Sequence, residues 1–182
     1  MLQKIENGRE KLISRGKKAL MENGYSGVSI AELTAQCGMA TGTFYNYFKS
    51  KDEFVNQIVS DDWDVMLKKI KKQMDKTESP CENVRFLYMR LSEFQHRYRF
   101  FATGTVVKNG TVIKNERVSL QKLYDIMSEK FRHDVEAGAL EIGTTPENAA
   151  YMITQICMVA GRNPDMKFDD LWNFLHITDH TM

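Results

Sequence analysis

Apolar residues recur every three or four positions along most of the chain, and this spacing predicts amphipathic helices. The first such segment runs from about Gly8 to Asn23. Its apolar face consists of four small or aliphatic residues: Leu12, Gly16, Ala19 and Leu20. Gly24 follows at the position where helices commonly end in a glycine with positive φ. Because clear strand alternation is scarce elsewhere, the pattern predicts an all-α fold.

Two short helices are predicted next. Ser29-Ile-Ala-Glu32 has the spacing of a capping box, so it predicts a helix that ends at Gly38 after about two turns. In the segment 41–48, Phe44 and Phe48 are one turn apart and are expected to face inward together with Ala40. The outward arc then contains Gly42, Thr43, Tyr45 and Asn46, with Thr41 and Tyr47 at its edges. Isolated helices below about 12–15 residues are marginal in water, so both must pack on the first helix.

A longer helix follows the two short ones. Ser50-Lys-Asp-Glu53 is a second capping box, and apolar residues then repeat every three or four positions up to Met74. The repeat consists of Val55, Val59, Trp63, Met66, Ile70 and Met74. A supporting helix, a short helix, a glycine turn, a second short helix and a long helix form the layout of a helix-turn-helix unit. The second short helix of such a unit enters the DNA major groove.

The chemistry of the second short helix agrees with that layout. Uncharged donors on an exposed helix face suit base edges and phosphate oxygens. Gly42 allows close backbone approach, and Lys51 at the start of the next helix can neutralise a phosphate. The alternative is a surface aromatic patch that binds another protein. The surrounding layout favours DNA.

Helical patterns continue through the rest of the chain. The polar segment 76–81 is predicted to be a loop, followed by helical patterns over 84–94 and from Leu120 to about Ala137. Between them we expect a short helix near 98–107 and a turn at Asn109-Gly110. The segment NGTVI resembles one strand of a hairpin, but no second strand supports one. Thr145-Pro146 predicts a helix over 146–161, and a last helix is expected from Lys167 to about Ile177.

Composition fits one globular domain or two small ones. The chain has 182 residues, of which 42% are hydrophobic and 27% charged, with a net charge of +1. Residues 1–51 have eight Lys or Arg against four Glu, a balance of +4, whereas residues 146–182 have two basic against five acidic residues, a balance of −3. A polyanion is therefore expected to meet the N-terminal part. Neither a membrane-spanning run nor a signal-like start is present, so we expect a cytoplasmic protein without membrane contact.

Signals for a metal, a cofactor or catalysis are weak. The three cysteines have no CxxC spacing, which argues against a disulfide framework or a zinc site, and the four histidines have no HExxH spacing. His133-Asp134 with Glu136 could form an acid–base site of a small helical enzyme, but a solvated helix face explains these residues better. We therefore expect no metal, no cofactor and no catalytic residues.

Residues 8–58 resemble the TetR (tetracycline-repressor) family of transcription regulators. The resemblance rests on the segment ALMENGYSGVSIAELTAQCGMATGTFYNYFKSKDEF, with its two caps, glycine turn and the pattern GTxYxYFxSKxEF. It implies a helix-turn-helix DNA-binding domain over 1–50 and a helical ligand-binding and dimerisation domain over 51–182. It also implies a homodimer that is released from a palindromic operator when a small apolar or amphipathic effector binds.

The resemblance assigns DNA contacts to individual residues of this chain. Thr41, Gly42 and Thr43 would lie nearest the base edges. The remaining contacts would be mostly to phosphates, from Ser29, Tyr45, Asn46, Tyr47 and Lys51.

Candidates for an effector pocket and a dimer interface come from the C-terminal helices. The chain has 11 methionines, which together with aromatic residues can line an adaptable apolar cavity. The candidate lining is Trp63, Met66, Phe86, Met89, Phe101, Tyr124, Met127, Phe131, Met152 and Ile156. The candidate dimer interface is Met152, Val159, Phe168, Trp172, Phe174 and Leu175. Ordinary core packing is the alternative for both sets, and a DNA-binding architectural protein without an effector is the alternative function.

Overall fold

The computed structural model describes residues 7–98, 112–175 and 177–181, and side chains from residue 120 onward in the second range. Eight α-helices and a two-stranded antiparallel sheet lie within these ranges. The helices are α1 Gly8–Asn23, α2 Ile30–Gln36, α3 Thr41–Phe44, α4 Lys51–Met74, α5 Pro80–Arg97, α6 Val112–Glu136, α7 Pro146–Ala160 and α8 Phe168–Leu175. The strands are β1 Leu140–Glu141 and β2 Thr178–Asp179. The predicted all-α fold is confirmed.

The chain forms two compact units. Among the described residues, the first contains 7–62, 98 and 112, and the second contains 63–97, 113–175 and 177–181. The boundary between these two compact units, after Asp62, falls within α4. The sequence-based division by function, 1–50 and 51–182, stays a prediction.

The core of the first unit is an aromatic cluster behind α3. The rings of Phe44, Phe48 and Phe54 lie 4.8–5.4 Å apart, and all three side chains are buried. Edge and tilted contacts at such distances add to the burial of large apolar surfaces. Two residues of α1, Leu12 and Leu20, are also buried in this unit. The two phenylalanines of the 41–48 segment therefore face inward as predicted.

The turn between α2 and α3 is held by Thr34 and Gly38. The Thr34 hydroxyl lies 2.9 Å from the Ile30 carbonyl and 3.5 Å from the Thr41 hydroxyl, and the Thr34 carbonyl accepts from the Met39 N–H at 2.8 Å. Gly38 has φ +69°, a conformation that side chains with a Cβ rarely adopt. The predicted glycine turn is confirmed.

Both predicted capping boxes are helix starts in the structure. The Ser29 hydroxyl accepts from the Glu32 N–H at 3.4 Å, and the Ser50 hydroxyl accepts from the Glu53 N–H at 3.1 Å. The Glu53 carboxylate accepts in return from the Lys49 N–H at 2.8 Å. These bonds satisfy N–H groups that a helix start otherwise leaves without partners.

The second unit is built around a core to which α4 to α8 all contribute. In this unit α5 packs mainly on α7 and also on α8. Five fully buried side chains from α4, α5, α6 and α7 illustrate the packing: Ile70, Leu87, Leu123, Met127 and Cys157. Burial raises the pKa of the Cys157 thiol to about 12, so this cysteine stays protonated and behaves as a small hydrophobe.

The short sheet fixes the segment after α8. Leu140 pairs with Asp179 and Glu141 with Thr178. One carboxylate oxygen of Asp179 accepts from the Cys81 N–H at 2.9 Å and the Ser79 hydroxyl at 3.0 Å, while the other accepts from the Thr181 N–H at 2.8 Å. Asp179 therefore caps the start of α5 from a distant part of the chain.

Helix boundaries agree closely with the sequence patterns for α1 and α7, and less well for α3. The α-helical part of α3 ends at Phe44, because the N–H groups of Asn46 and Tyr47 bond three residues back and tighten the chain into a turn. Ala40 is exposed rather than inward, since it is the residue before α3. Apart from Tyr98, the expectations for 98–107 and Asn109-Gly110 lie outside the described residues. The last two residues of NGTVI, Val112 and Ile113, are helical, because α6 begins at Val112 rather than at the predicted Leu120.

Among the helices described, none is long and apolar enough to cross a membrane.

Candidate nucleic-acid interface

The outward face of α3 and the turn after it consists of uncharged polar groups. Thr41, Gly42, Tyr45 and Asn46 are exposed, whereas Thr43 and Tyr47 are half-buried. Tyr45 has 55% of its surface exposed, although its ring edge contacts Phe44 at 5.3 Å between centroids. Hydroxyl and amide donors on a face supported by buried aromatic rings can reach base edges or phosphate oxygens.

Gly42 is open to solvent on the side where a side chain would project. A Cβ added at Gly42 would meet no atom within 4 Å, and the residue lies within α3 rather than in a positive-φ turn. The fold of the described residues therefore does not require a glycine here. Close approach of an external molecule to the backbone would explain why position 42 is a glycine.

Tyr47 is held at the side of α1. A Cβ built at Gly8 would lie 2.7 Å from the Tyr47 hydroxyl oxygen and 3.3 Å from Cε of Met39. The close approach of Gly8 thus makes room for the tyrosine ring. Tyr47 is consequently less accessible than Tyr45.

Ser29 and Lys51 are both half-buried at helix starts. The Ser29 hydroxyl is partly occupied by its bond to the Glu32 N–H. The Lys51 ammonium lies over the ring of Tyr25, with Nζ 4.4 Å from the ring centroid. Burial lowers the pKa of Lys51, and the neighbouring Asp52 carboxylate acts in the opposite direction.

Sequence reasoning missed Tyr25 and Asp52. The Tyr25 hydroxyl donates a hydrogen bond to the Asp52 carboxylate. Burial, followed by this hydrogen bond and the carboxylate charge, raises the pKa of Tyr25 to about 12. No spacing rule connects position 25 with positions 51 and 52, so only the tertiary fold brings them together.

The predicted effector-pocket residues divide into core and surface. Trp63, Met66, Met127 and Phe131 are buried in the core of the second unit, and Phe86 and Ile156 pack against it half-buried. Tyr124 is half-buried beside the ring of Tyr151. Met89 and Met152 differ from the expectation, because they are 46% and 53% exposed on the outer faces of α5 and α7. Phe101 lies outside the described residues.

Polar atoms without partners lie in the same core. Within the described part of the chain, the Trp63 indole N–H, the Thr154 hydroxyl and both amide atoms of Gln95 are buried with no hydrogen-bond partner. Gln95 is half-buried and lies one helical turn after Leu91, the last buried residue of α5. Buried polar groups are normally satisfied, and each exception calls for an explanation.

A groove in the second unit has different chemistry. Its volume is ≈ 320 Å³, and it is lined by Lys71, Met74, Asp75, Lys76, Thr77, Glu78, Ile126, Glu129, Lys130 and His133. None of the predicted pocket residues lines this groove. Its mixed charges resemble a solvated surface more than an apolar effector site.

The candidate dimer residues also divide into two groups. Val159 and Phe174 are 68% and 72% exposed, and Met152 lies with Val159 on one face of α7. Trp172 and Leu175 are half-buried. Phe168 differs from the expectation, because it is buried in the core between Tyr88, Trp172 and the Arg85 guanidinium, which lies 4.3 Å from its ring centroid.

Comparison with known proteins shows similarity to transcription regulators. Residues 12–58 match the family described as bacterial regulatory proteins, tetR family. The HTH-type transcriptional repressor DhaR of Mycobacterium sp. (strain GP1) is 26% identical over 120 residues, which are 65% of this chain and 55% of the repressor. The chain thus spans about half the length of the curated relatives it matches.

Solved structures share the fold over nearly the whole chain. The reduced form of E. coli NemR has a TM-score of 0.72 and 17% identity, with 93% of this chain and 95% of NemR covered. The transcriptional regulator FadR from Bacillus subtilis in complex with stearoyl-CoA has a TM-score of 0.67 and 16% identity, with 91% and 94% covered.

Proposed function

Because this chain belongs to the tetR family of bacterial regulatory proteins, we propose that it is a cytoplasmic transcriptional repressor that a small molecule releases from DNA. In this proposal a homodimer binds a palindromic operator, with one α3 in the major groove of each half-site. Half-sites lie about 34–36 Å apart, so a small change in the separation of the two α3 helices weakens binding.

One observation carries the DNA-binding part of the proposal. Thr41, Gly42, Tyr45 and Asn46 are exposed in front of the buried rings of Phe44 and Phe48. A surface for base edges needs donors that are rigidly supported and uncharged, and this segment has both properties. Ser29 and Lys51 add a hydroxyl and an ammonium at the starts of α2 and α4, where phosphates would lie.

The effector is proposed to bind in the core of the second unit. Support comes from the Trp63 N–H, which lies in this core, and from the Gln95 amide of α5, since all of these polar atoms are buried without a hydrogen-bond partner. A ligand that enters this core gains most by accepting from the indole and by both donating to and accepting from the amide. The proposed effector is therefore an amphipathic molecule with neutral hydrogen-bonding groups, a narrower class than an apolar molecule in general.

Release requires that effector binding alters α4, which begins at Lys51 beside the DNA-contacting residues and ends at Met74. A ligand shifts this balance only by its differential affinity for the two conformations. On α4, the Asp62 carboxylate forms an ion pair with Lys17 of α1 and accepts from the Tyr98 hydroxyl at 2.6 Å. Movement of α4 would therefore be transmitted to α1, which packs on α2, and α2 in turn packs on α3.

The test begins with the operator. Genomic DNA fragments retained by the purified protein are sequenced, and the enriched palindrome is used for titrations. Tyr45→Ala is expected to weaken operator binding about tenfold without a change in thermal stability, because the ring is exposed. Met21→Ala is the matched control, since Met21 is 48% exposed on α1 and is not one of the proposed contacts. Equal affinity of both variants and the wild type would contradict the proposed interface.

A DNA-binding protein without an effector is the second candidate. The close packing of Met127 and Phe131, which are 0% and 1% exposed, favours it. The two candidates are separated by a thermal-shift screen of small amphipathic molecules, followed by operator titration with every stabilising compound. A compound that both stabilises the protein and releases DNA supports the repressor, whereas stabilisation without release supports the second candidate.

A further inference from the structure

We propose that Tyr25 is a positioning residue for DNA binding, which together with Asp52 holds the Lys51 ammonium ready for a phosphate. The inference rests on the proposed function, because Lys51 is a DNA contact only if the first unit binds DNA. Tyr25 itself acts through Lys51. The three side chains come from the α1–α2 connection and the first turn of α4.

The first step concerns the ammonium. Nζ of Lys51 lies 4.4 Å from the centroid of the Tyr25 ring, within the roughly 6 Å over which a cation is attracted to an aromatic face. A lysine has a flexible four-carbon side chain and normally loses much rotamer freedom when its ammonium is bound. Contact with the ring restricts the Lys51 side chain before DNA binds. The side chain therefore loses less conformational entropy when it contacts a phosphate.

The second step concerns the ring. The Tyr25 hydroxyl donates to the Asp52 carboxylate, which fixes one edge of the ring to the first turn of α4. The pKa of Tyr25 is raised to about 12, mainly by burial and then by Asp52, so the hydroxyl keeps its proton near neutral pH. The ring is therefore tied through Asp52 to the helix turn that carries Lys51, which limits how far movement of the α1–α2 connection can separate the ring from the ammonium.

The third step concerns charge. A carboxylate next to a phosphate contact repels DNA, and a hydrogen bond from a neutral phenol weakens this repulsion without removing the charge. The hydrogen bond from Tyr25 occupies Asp52, while the Asp52 charge opposes the lowering of the Lys51 pKa by burial. The arrangement thus allows an acidic residue beside a DNA-contacting cation, at the position where a helix start favours acidic side chains.

The experiment is a double-mutant cycle with Tyr25→Leu, Lys51→Ala and the combined variant, titrated with operator DNA at several salt concentrations. Loss of one phosphate contact reduces the slope of log affinity against log salt by about 0.9. Because the proposed homodimer contains Lys51 twice, we expect Lys51→Ala to reduce the slope by about 1.8. Tyr25→Leu should weaken binding about three- to tenfold and lower the slope part of the way. In the Lys51→Ala background, Tyr25→Leu should have no further effect.

Tyr25→Phe is the second variant, because it keeps the ring and the fold but removes the bond to Asp52. A smaller loss of affinity is expected, again absent in the Lys51→Ala background. Equal losses from Tyr25→Leu or Tyr25→Phe with and without Lys51 would overturn the inference and indicate a purely structural tyrosine. If Lys51→Ala leaves affinity and slope unchanged while Tyr45→Ala weakens binding, the inference fails and the proposed function stands. If neither weakens binding, the proposed function fails with it.

Discussion

Gly16 of α1 lies against the ring of Phe54 of α4 so closely that a Cβ at position 16 would overlap the ring and lie 3.0 Å from Cδ1 of Ile58. Both partners are buried, so neither can move into solvent. Gly42 is the opposite case, with open space where its Cβ would be. The two glycines therefore serve different purposes: one permits packing, and the other leaves a surface bare.

This contrast gives a prediction for Gly42→Ala. Alanine is favoured over glycine inside a helix by about 0.5–1 kcal/mol, so the variant should keep or slightly raise the melting temperature. Operator affinity should fall, because the added methyl group faces the DNA in the proposed complex. Thermal denaturation measures the melting temperature, and titration with operator DNA measures the affinity.

Gly16→Ala is the matched comparison. It should lower the free energy of unfolding by about 1–3 kcal/mol, because the packed ring of Phe54 cannot accommodate the methyl group. If Gly42→Ala destabilised the protein as much as Gly16→Ala, the exposed position of Gly42 would be wrong. If Gly42→Ala left operator affinity unchanged, the proposal that DNA closely approaches the backbone at Gly42 would be wrong.

A second prediction concerns Gln95 in the core of the second unit. Gln95→Leu should raise the stability of the effector-free protein by about 1 kcal/mol, because it removes two buried polar atoms without partners and keeps a similar volume. The same variant should lose sensitivity to an effector that bonds to this amide. Chemical denaturation measures the first effect, and operator release measures the second.

Gln155 provides the control for Gln95. It is also half-buried in the second unit, but its amide N–H donates to the Tyr124 hydroxyl at 2.6 Å. Gln155→Leu should therefore destabilise the protein by about 1 kcal/mol, since it leaves the tyrosine without that donor. Destabilisation of similar size by both substitutions would show that the Gln95 amide is satisfied in solution.

A third prediction concerns the pH dependence that Asp179 contributes. Partial burial alone would raise the pKa of Asp179, but hydrogen bonds from Thr181, the Cys81 N–H and Ser79 together lower it. A carboxyl with a lowered folded pKa contributes stability that is present above its unfolded pKa of about 3.9 and is lost as the pH falls through the folded value. Asp179→Asn should therefore cost about 2 kcal/mol at pH 7.

The difference between the wild type and Asp179→Asn should decrease when the pH falls below about 4, because the wild-type carboxyl then becomes protonated. Urea denaturation at several pH values measures this difference. Asp165→Asn is the control, since Asp165 is exposed and is expected to change stability little. A difference that stays constant down to acidic pH would exclude a role for the Asp179 charge.

Local signals explain how much of the fold could be predicted from the sequence. The starts of α2, α4 and α7 follow from Ser29, Ser50 and Thr145, each of which accepts a hydrogen bond from the N–H three residues later. Helical periodicity likewise predicted the inward positions of Phe44 and Phe48. These features depend on residues within one turn of each other, which sequence spacing determines.

Features that depend on distant residues could not be predicted. Periodicity groups residues on a face but does not say whether that face meets the core, so Met89 and Met152 were assigned to a pocket although both are exposed. The Lys51–Tyr25 contact and the Asp179 cap depend on tertiary packing. Sequence therefore predicted the outward positions of Gly42, Tyr45 and Asn46 correctly, whereas Thr43 is half-buried and the contact of Lys51 with Tyr25 was missed.

The last prediction concerns dimerisation through α7 and α8. Val159 and Phe174 are large apolar side chains with most of their surface exposed, and exposed apolar patches mark interfaces. In a two-fold dimer each substitution occurs twice at the interface. Phe174→Glu should therefore weaken the dimer by at least about 3 kcal/mol, roughly a hundredfold in the dissociation constant, without unfolding the subunit. Analytical ultracentrifugation over a concentration series measures this change.

Met21→Glu provides the control for a new surface charge, because Met21 is exposed on α1 in the first unit. It should leave the dissociation constant of the dimer unchanged. The monomeric Phe174→Glu protein should bind a single half-site and lose its preference for the full palindrome, because the two α3 helices are then no longer linked. An unchanged dimer would contradict an interface at Phe174, whereas a monomer with full preference for the palindrome would show that DNA alone pairs the two copies.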